Sequence, residues 1–118
     1  MEIQESHLDS LLVLRPKGRL DNLTSAEFQV KLLQLTSATT ADVIIDLADV
    51  EYISSGGLRA LAMAARQKPA DHRVGVARVH HLVQEIFAIA HFEQVMPVFG
   101  SLEEARRAWG GPERTGEP

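Results

Sequence analysis

The stretch Val43-Ile44-Ile45-Asp46-Leu47-Ala48-Asp49-Val50-Glu51-Tyr52-Ile53-Ser54-Ser55-Gly56-Gly57-Leu58-Arg59-Ala60-Leu61 decides how the chain is read. Val43 to Leu47 is short, β-branched and almost continuously apolar, the pattern of a central strand covered on both faces. From Gly57 to Gln67 the period changes. Leu58, Leu61, Ala62 and Ala65 recur at i, i+3, i+4 and i+7, which predicts an amphipathic helix with Arg59 and Arg66 off the apolar stripe. A strand therefore ends in a loop that delivers two hydroxyls and two glycines to a helix start. Unpaired backbone N–H groups and the helix dipole favour an anion there, so a phosphate on Ser54 or Ser55 would be tolerated locally. The competing structural reading makes one of these serines a plain N-cap and Gly56-Gly57 a turn. Each glycine costs about 1 kcal/mol relative to alanine inside a helix, so the pair implies either a positive φ or a surface that another backbone approaches closely.

Outward from this stretch, strands and helices alternate. Ile3 to Leu8 and Leu11 to Leu14 flank Asp9-Ser10 as an opening hairpin, with Pro16 near a strand edge. Thr24-Ser25-Ala26-Glu27 has capping-box spacing and predicts a helix from there to Gln34 or Thr36. Phe28, Leu32 and Leu35 form one stripe of that helix. Ala26, Val30 and Leu33 form another, which faces a partner or is ordinary exposed apolar surface. Arg73 to Val79 reads as a strand in which Val74 and Val76 alternate with Gly75 and Ala77. Leu82, Val83, Ile86, Phe87, Ile89 and Ala90 give a third helix with a wide apolar face. Met96 to Phe99 is a last strand weakened by Pro97, and Ser101-Leu102-Glu103-Glu104 opens a helix to Trp109 as a second capping box. The order predicts one α/β (α+β) domain over residues 1–109, a mixed β-sheet of four to five strands packed with about four helices and right-handed crossovers. Residues 110–118 read as a disordered tail.

Composition narrows the function. A chain of 118 residues suits one domain. With no cysteine it has no thiol nucleophile, no thiolate metal cage and no disulfide, which fits a reducing cytoplasm. A net charge of −4 argues against coating a nucleic-acid duplex, and no apolar run approaches the roughly 18 residues of a membrane span. The five histidines, His7, His72, His80, His81 and His91, lack metal-ligand spacing and read as surface residues, with His80 and His81 about 100° apart if helical. No metal or cofactor is expected. Asp46, Asp49 and Glu51 are given no acid–base role, and Asp21-Asn22 reads first as a turn. Ser-Ser-Gly-Gly matches no nucleophile elbow, and the lysine of a phosphate-binding loop is missing, so a small nucleotide hydrolase is the weakest reading.

Residues 44–61, with Gly18-Arg19-Leu20-Asp21 and Val98-Phe99-Gly100-Ser101-Leu102-Glu103-Glu104-Ala105, resemble the STAS domain of bacterial anti-sigma factor antagonists over most of Met1 to Trp109. The resemblance implies a STAS-like fold and a non-enzymatic partner switch in the cytoplasm. The unphosphorylated antagonist binds a serine kinase that is also an anti-sigma factor, phosphorylation releases it, and a serine phosphatase restores binding. Aligning the family's Asp-Ser-Ser-Gly-Leu on Gly57-Leu58 places the modified serine at Ser55, with Ser54 as the alternative. Ser54 then stands where the family has Asp, and Gly56 where it has the second Ser. The resemblance further implies a partner-binding surface at Asp21, Ser54, Ser55, Gly56, Gly57 and Arg59. The same fold also serves membrane transporters, so an accessory transporter subunit is a second reading.

Overall fold

The computed structural model describes residues 1–67 and 72–110. The hairpin forms from β1 (Glu2–Leu8) and β2 (Leu11–Lys17), turning at Asp9, whose φ is 54°. Then follow α1 (Ser25–Ser37), β3 (Val43–Asp46), α2 (Ser55–Arg66), β4 (Val74–Ala77), α3 (His81–Ile89), a 3-10 turn over Phe92–Gln94, β5 (Val98–Phe99) and α4 (Leu102–Trp109). The five strands lie in sequence order; β1 pairs antiparallel with β2, and β2 through β5 run parallel. The expected α/β fold, a mixed sheet of four to five strands packed with about four helices, is thus the observed one, and the predicted tail lies outside the described residues beyond Gly110. Pro16 costs little because the β2–β3 register covers only Leu12 to Leu14, two residues short of it.

Strand alternation sorts the core into two layers. Leu12, Leu14, Val43, Ile45, Val74 and Val76 face one side and pack with Phe28 and Leu32 of α1, Ala60, Leu61 and Ala64 of α2, and Val83 and Phe87 of α3. Leu11, Ile44 and Ala77 face the other side under α4, meeting Ala105, Leu102 and Trp109. The small residues of β4 point to this thinner layer, where the Trp109 ring approaches Gly75 so closely that an added Cβ would lie 3.0 Å from it.

Several expectations need correction. The capping box at Thr24 does not form, because its two partners are engaged elsewhere. The Thr24 hydroxyl donates to the Arg19 carbonyl (2.6 Å), while the Glu27 carboxylate takes the Met1 ammonium (2.8 Å) and Lys31 (3.4 Å). Ser101, in contrast, accepts from the Glu104 N–H at 3.0 Å as expected. In α1 the second stripe divides: Leu33 packs against the core while Val30 stays exposed. The buried line of α2 is Gly57, Ala60, Leu61 and Ala64, one residue earlier than the predicted stripe; Leu58, Ala62 and Ala65 pack at its margin. The helix starts at Ser55 rather than Gly57. The apolar face of α3 is narrower than expected, for Ile89 is 82 % exposed and Leu82 is exposed as well. His80 caps α3, its Nδ1 accepting from the Leu82 N–H (3.2 Å), and lies outside the helix, so its ring stacks on His81 at 4.4 Å instead of diverging. His72 is buried, not a surface residue.

Candidate functional site

The C-terminal ends of β2 and β3 are zipped together beyond the regular sheet. The Leu20 N–H donates to the Tyr52 carbonyl (3.0 Å) and the Ser54 N–H donates to the Leu20 carbonyl (2.7 Å), forming one parallel bridge between Leu20 and Ile53. Leu20 and Ile53 are buried, so the bridge is anchored by apolar packing as well as by hydrogen bonds. It carries two loops to the same edge of the molecule: Gly18 to Thr24 ahead of α1, and Ala48 to Ser54 ahead of α2.

This bridge separates the two serines. Ser54 is the N-cap of α2, its Oγ accepting from the Gly57 N–H at 3.2 Å, and it is only 7 % exposed. Ser55 opens the first turn, is exposed, and makes no side-chain hydrogen bond among the described residues. Half of the capping reading therefore holds: one serine caps and the other is presented. Neither glycine has a positive φ. Gly57 is required by close approach of side chains rather than of another backbone, because a Cβ there would lie 2.7 Å from Ile53 Cγ1 and 3.1 Å from Leu20 Cβ. A Cβ on Gly56 would meet the Ser25 hydroxyl at 2.6 Å, which places the starts of α1 and α2 against each other.

Asp21 shapes the neighbouring turn. Its Oδ1 accepts from the N–H groups of Leu23 (2.9 Å) and Thr24 (3.1 Å), and its backbone carbonyl accepts from the Ser25 N–H (2.9 Å). These two backbone donors, followed by the Thr24 hydroxyl and Arg19, hold the carboxyl below its usual range despite some desolvation. A carboxyl with a depressed pKa stabilises the fold above its unfolded pKa, and that contribution vanishes as pH falls through the folded value. Acid unfolding of the wild type should therefore be steeper below about pH 4 than that of Asp21→Asn, which keeps an oxygen acceptor but does not titrate. Thermal melts at neutral and acid pH test this; parallel loss in both proteins would refute it.

Sequence reasoning missed the contact of Arg19 with Tyr52 and the exposure of Leu23 at this edge. Arg19, 65 % exposed, lies over the Tyr52 ring at 4.6 Å, with its Nε 4.0 Å from Asp21. Leu23, whose N–H donates to Asp21, is 91 % exposed. A pair of strand-like runs gives no local signal for an arginine and a tyrosine that meet across two loops. Arg59 lies on α2 one turn beyond Ser55, exposed and with no hydrogen bond or ion pair among the described residues. The surface around Asp21, Ser55, Gly56 and Arg59 thus combines a free hydroxyl, a small-residue helix start, two cations and a projecting leucine.

The acidic residues of the third strand's exit serve structure. Asp46 is 1 % exposed and takes a two-point contact from Arg78, Nε at 3.0 Å and Nη2 at 2.5 Å, with Arg15 Nε at 4.0 Å. Arg15 pairs closely with Asp49 (2.8 Å), and that pairing lowers the Asp49 pKa. Arg15, Asp46 and Arg78 line a hollow on the α4 side of the sheet, with Gln4, Glu5 and Ser6. No group of three or more His, Asp or Glu residues that could hold a metal occurs among the described residues, and no helix among them is long and apolar enough to cross a membrane.

Comparison with known proteins follows the same line. The chain is 26 % identical over 110 residues to BtrV of Bordetella bronchiseptica, named as an anti-sigma factor antagonist, covering 92 % of this chain and 95 % of that one. It superposes on the crystal structure of an anti-sigma factor antagonist from Mycobacterium paratuberculosis with a TM-score of 0.82 at 20 % identity, covering 92 % of both chains. It also superposes on the Bacillus protein SpoIIAA, solved in a phosphorylated form, with a TM-score of 0.60 at 16 % identity, covering 91 % of this chain and 99 % of that one. The STAS domain model matches residues 2–105, and this chain belongs to the STAS domain family.

Proposed function

We propose that the chain is an anti-sigma factor antagonist that works as a non-enzymatic partner switch in the cytoplasm. Unphosphorylated, it binds a serine kinase that doubles as an anti-sigma factor, through the surface containing Asp21, Ser55, Gly56 and Arg59, with Ser54 and Gly57 setting its shape from beneath. The kinase moves the γ-phosphoryl group of ATP to Ser55 Oγ; the hydroxyl proton is lost and ADP leaves. A serine phosphatase hydrolyses the ester and restores the hydroxyl. The observation that carries the reading is the division of labour between adjacent serines: Ser54 is buried and committed to the helix cap, and Ser55 is exposed at the same helix start. Support comes also from the named role of BtrV and from the phosphorylated state of SpoIIAA.

The release mechanism is electrostatic. Phosphorylation adds roughly −1.5 to −2 charges at a surface that must lose water on binding, and the added charge opposes the complex without unfolding the domain. Ser55→Ala should abolish phosphate incorporation by the kinase that copurifies with the chain from its native cells, and Ser55→Asp should weaken that kinase's binding. Mass spectrometry and binding isotherms read both. Label that persists in Ser55→Ala, equal affinity of Ser55→Asp, or copurification with transporter subunits and no kinase would overturn the proposal.

A further inference from the structure

We infer that Arg59 is the internal counter-ion of a phosphate on Ser55, so that modification both adds negative charge and withdraws a cation from the docking surface. The inference rests on Ser55 as the modified residue. Ser55 and Arg59 stand four residues apart on α2, a spacing that brings side chains to the same face with Cβ atoms about 5–6 Å apart. The acidic group lies N-terminal to the basic one, the more favourable order along a helix. Both side chains are exposed, and Gly56 adds no side chain between the two. Arg59 has no ion-pair or hydrogen-bond partner among the described residues. The other cation of this surface, Arg19, is stacked on Tyr52 and faces Asp21. Arg59 is therefore the one of the two that a new anion can recruit without breaking an existing contact. The guanidinium offers a phosphate two parallel N–H donors, which a lysine does not.

Free Arg59 presents a positive charge to an acidic feature of the partner, and the phosphate takes it back into the chain. The surface changes sign without any change in fold.

The test uses full-length protein carrying phosphoserine at position 55, installed during translation so that it does not depend on the kinase. Phosphorus NMR then follows the second ionisation of the phosphate in three backgrounds: Arg59 intact, Arg59→Gln and Arg59→Lys. Asp21, Glu51 and Arg19 on the flanking loops and the α2 backbone are common to all three, so differences report residue 59. The expected result is an apparent pKa lower by about 0.3 units with Arg59 than with Gln, with Lys between them and the difference shrinking at about 1 M salt. Equal values with Arg59 and Gln would overturn the inference. Kinase labelling of unmodified protein is scored separately. Labelling at Ser55 together with equal phosphate pKa values for Arg59 and Gln sinks this inference alone. A residue-59 effect without any labelling of Ser55 leaves the ion pair standing and sinks the regulatory reading.

Discussion

Gly57→Val lowers the unfolding free energy by about 2–4 kcal/mol, whereas Gly56→Ala changes it by no more than about 0.5 kcal/mol. The contrast comes from what each new Cβ would meet. At residue 57 the obstacles are Ile53 Cγ1 at 2.7 Å and Leu20 Cβ at 3.1 Å, both on buried side chains that pin the bridge between the two loops. Neither can move without losing core contacts, and valine adds two methyl groups and a stiff χ1. At residue 56 the nearest atom is the Ser25 hydroxyl, which can turn away, and removing a glycine from the first turn offsets much of the remaining strain. Denaturant unfolding of both variants measures the difference. If Gly57→Val is as stable as the wild type, the close approach is not the reason for the glycine. The functional consequence follows from geometry: a bridge forced apart displaces the Ser54 cap and the presentation of Ser55, so Gly57→Val should also lose kinase labelling while still containing the serine.

Asp46→Ala has the second large expected effect, a loss of about 2–4 kcal/mol. Asp46 lies at the end of a central strand, and removing its carboxylate leaves the Arg78 guanidinium without its two-point partner in a partly buried position. Solvent can reach Arg78, which keeps the loss below that for a fully buried pair. The backbone adds a second cost. Arg78 adopts a φ of 55°, a left-handed conformation that a non-glycine residue holds only where its surroundings enforce it. The Asp46 contact is part of that enforcement, since it fixes the side chain while the Arg78 N–H donates to the Phe99 carbonyl (3.2 Å). Arg78→Gly and Arg78→Ala both leave the buried Asp46 carboxylate without its guanidinium, so comparing the two isolates the backbone: only the alanine keeps a Cβ at the φ of 55°, and Arg78→Gly should be the more stable. Equal stability of the two variants would show that the backbone conformation stores nothing.

Both variants address residues whose importance is unevenly legible from the chain. Val43 to Asp46 was readable as a central strand because continuous β-branched apolar character depends only on local composition. The change of period after Ile53 marked α2 for the same reason. The order of strands and helices likewise follows from local pattern, and the sheet topology obeys it because sequential parallel strands joined by helices most simply become neighbours. Local pattern does not fix which atoms a polar side chain will find. Thr24 and Glu27 had the spacing to cap each other, yet Arg19, Met1 and Lys31 supplied better-placed partners from other segments. Asp46 and Arg78 are separated by 32 residues, and their pairing exists only because β3 and β4 lie in register, Asp46 opposite Ala77.

The sequence by itself determined a cysteine-free α/β chain with a strand–loop–helix unit bearing two adjacent hydroxyls, because strand and helix periods are written in the spacing of apolar residues. It also carried the family resemblance, concentrated in that unit. Only the tertiary structure decided that Ser54 is buried and Ser55 presented. The register of that helix start is set by Leu20, 33 residues before Ile53 in the chain, through a bridge whose two hydrogen bonds and buried side chains leave one hydroxyl inside and the next one in solvent.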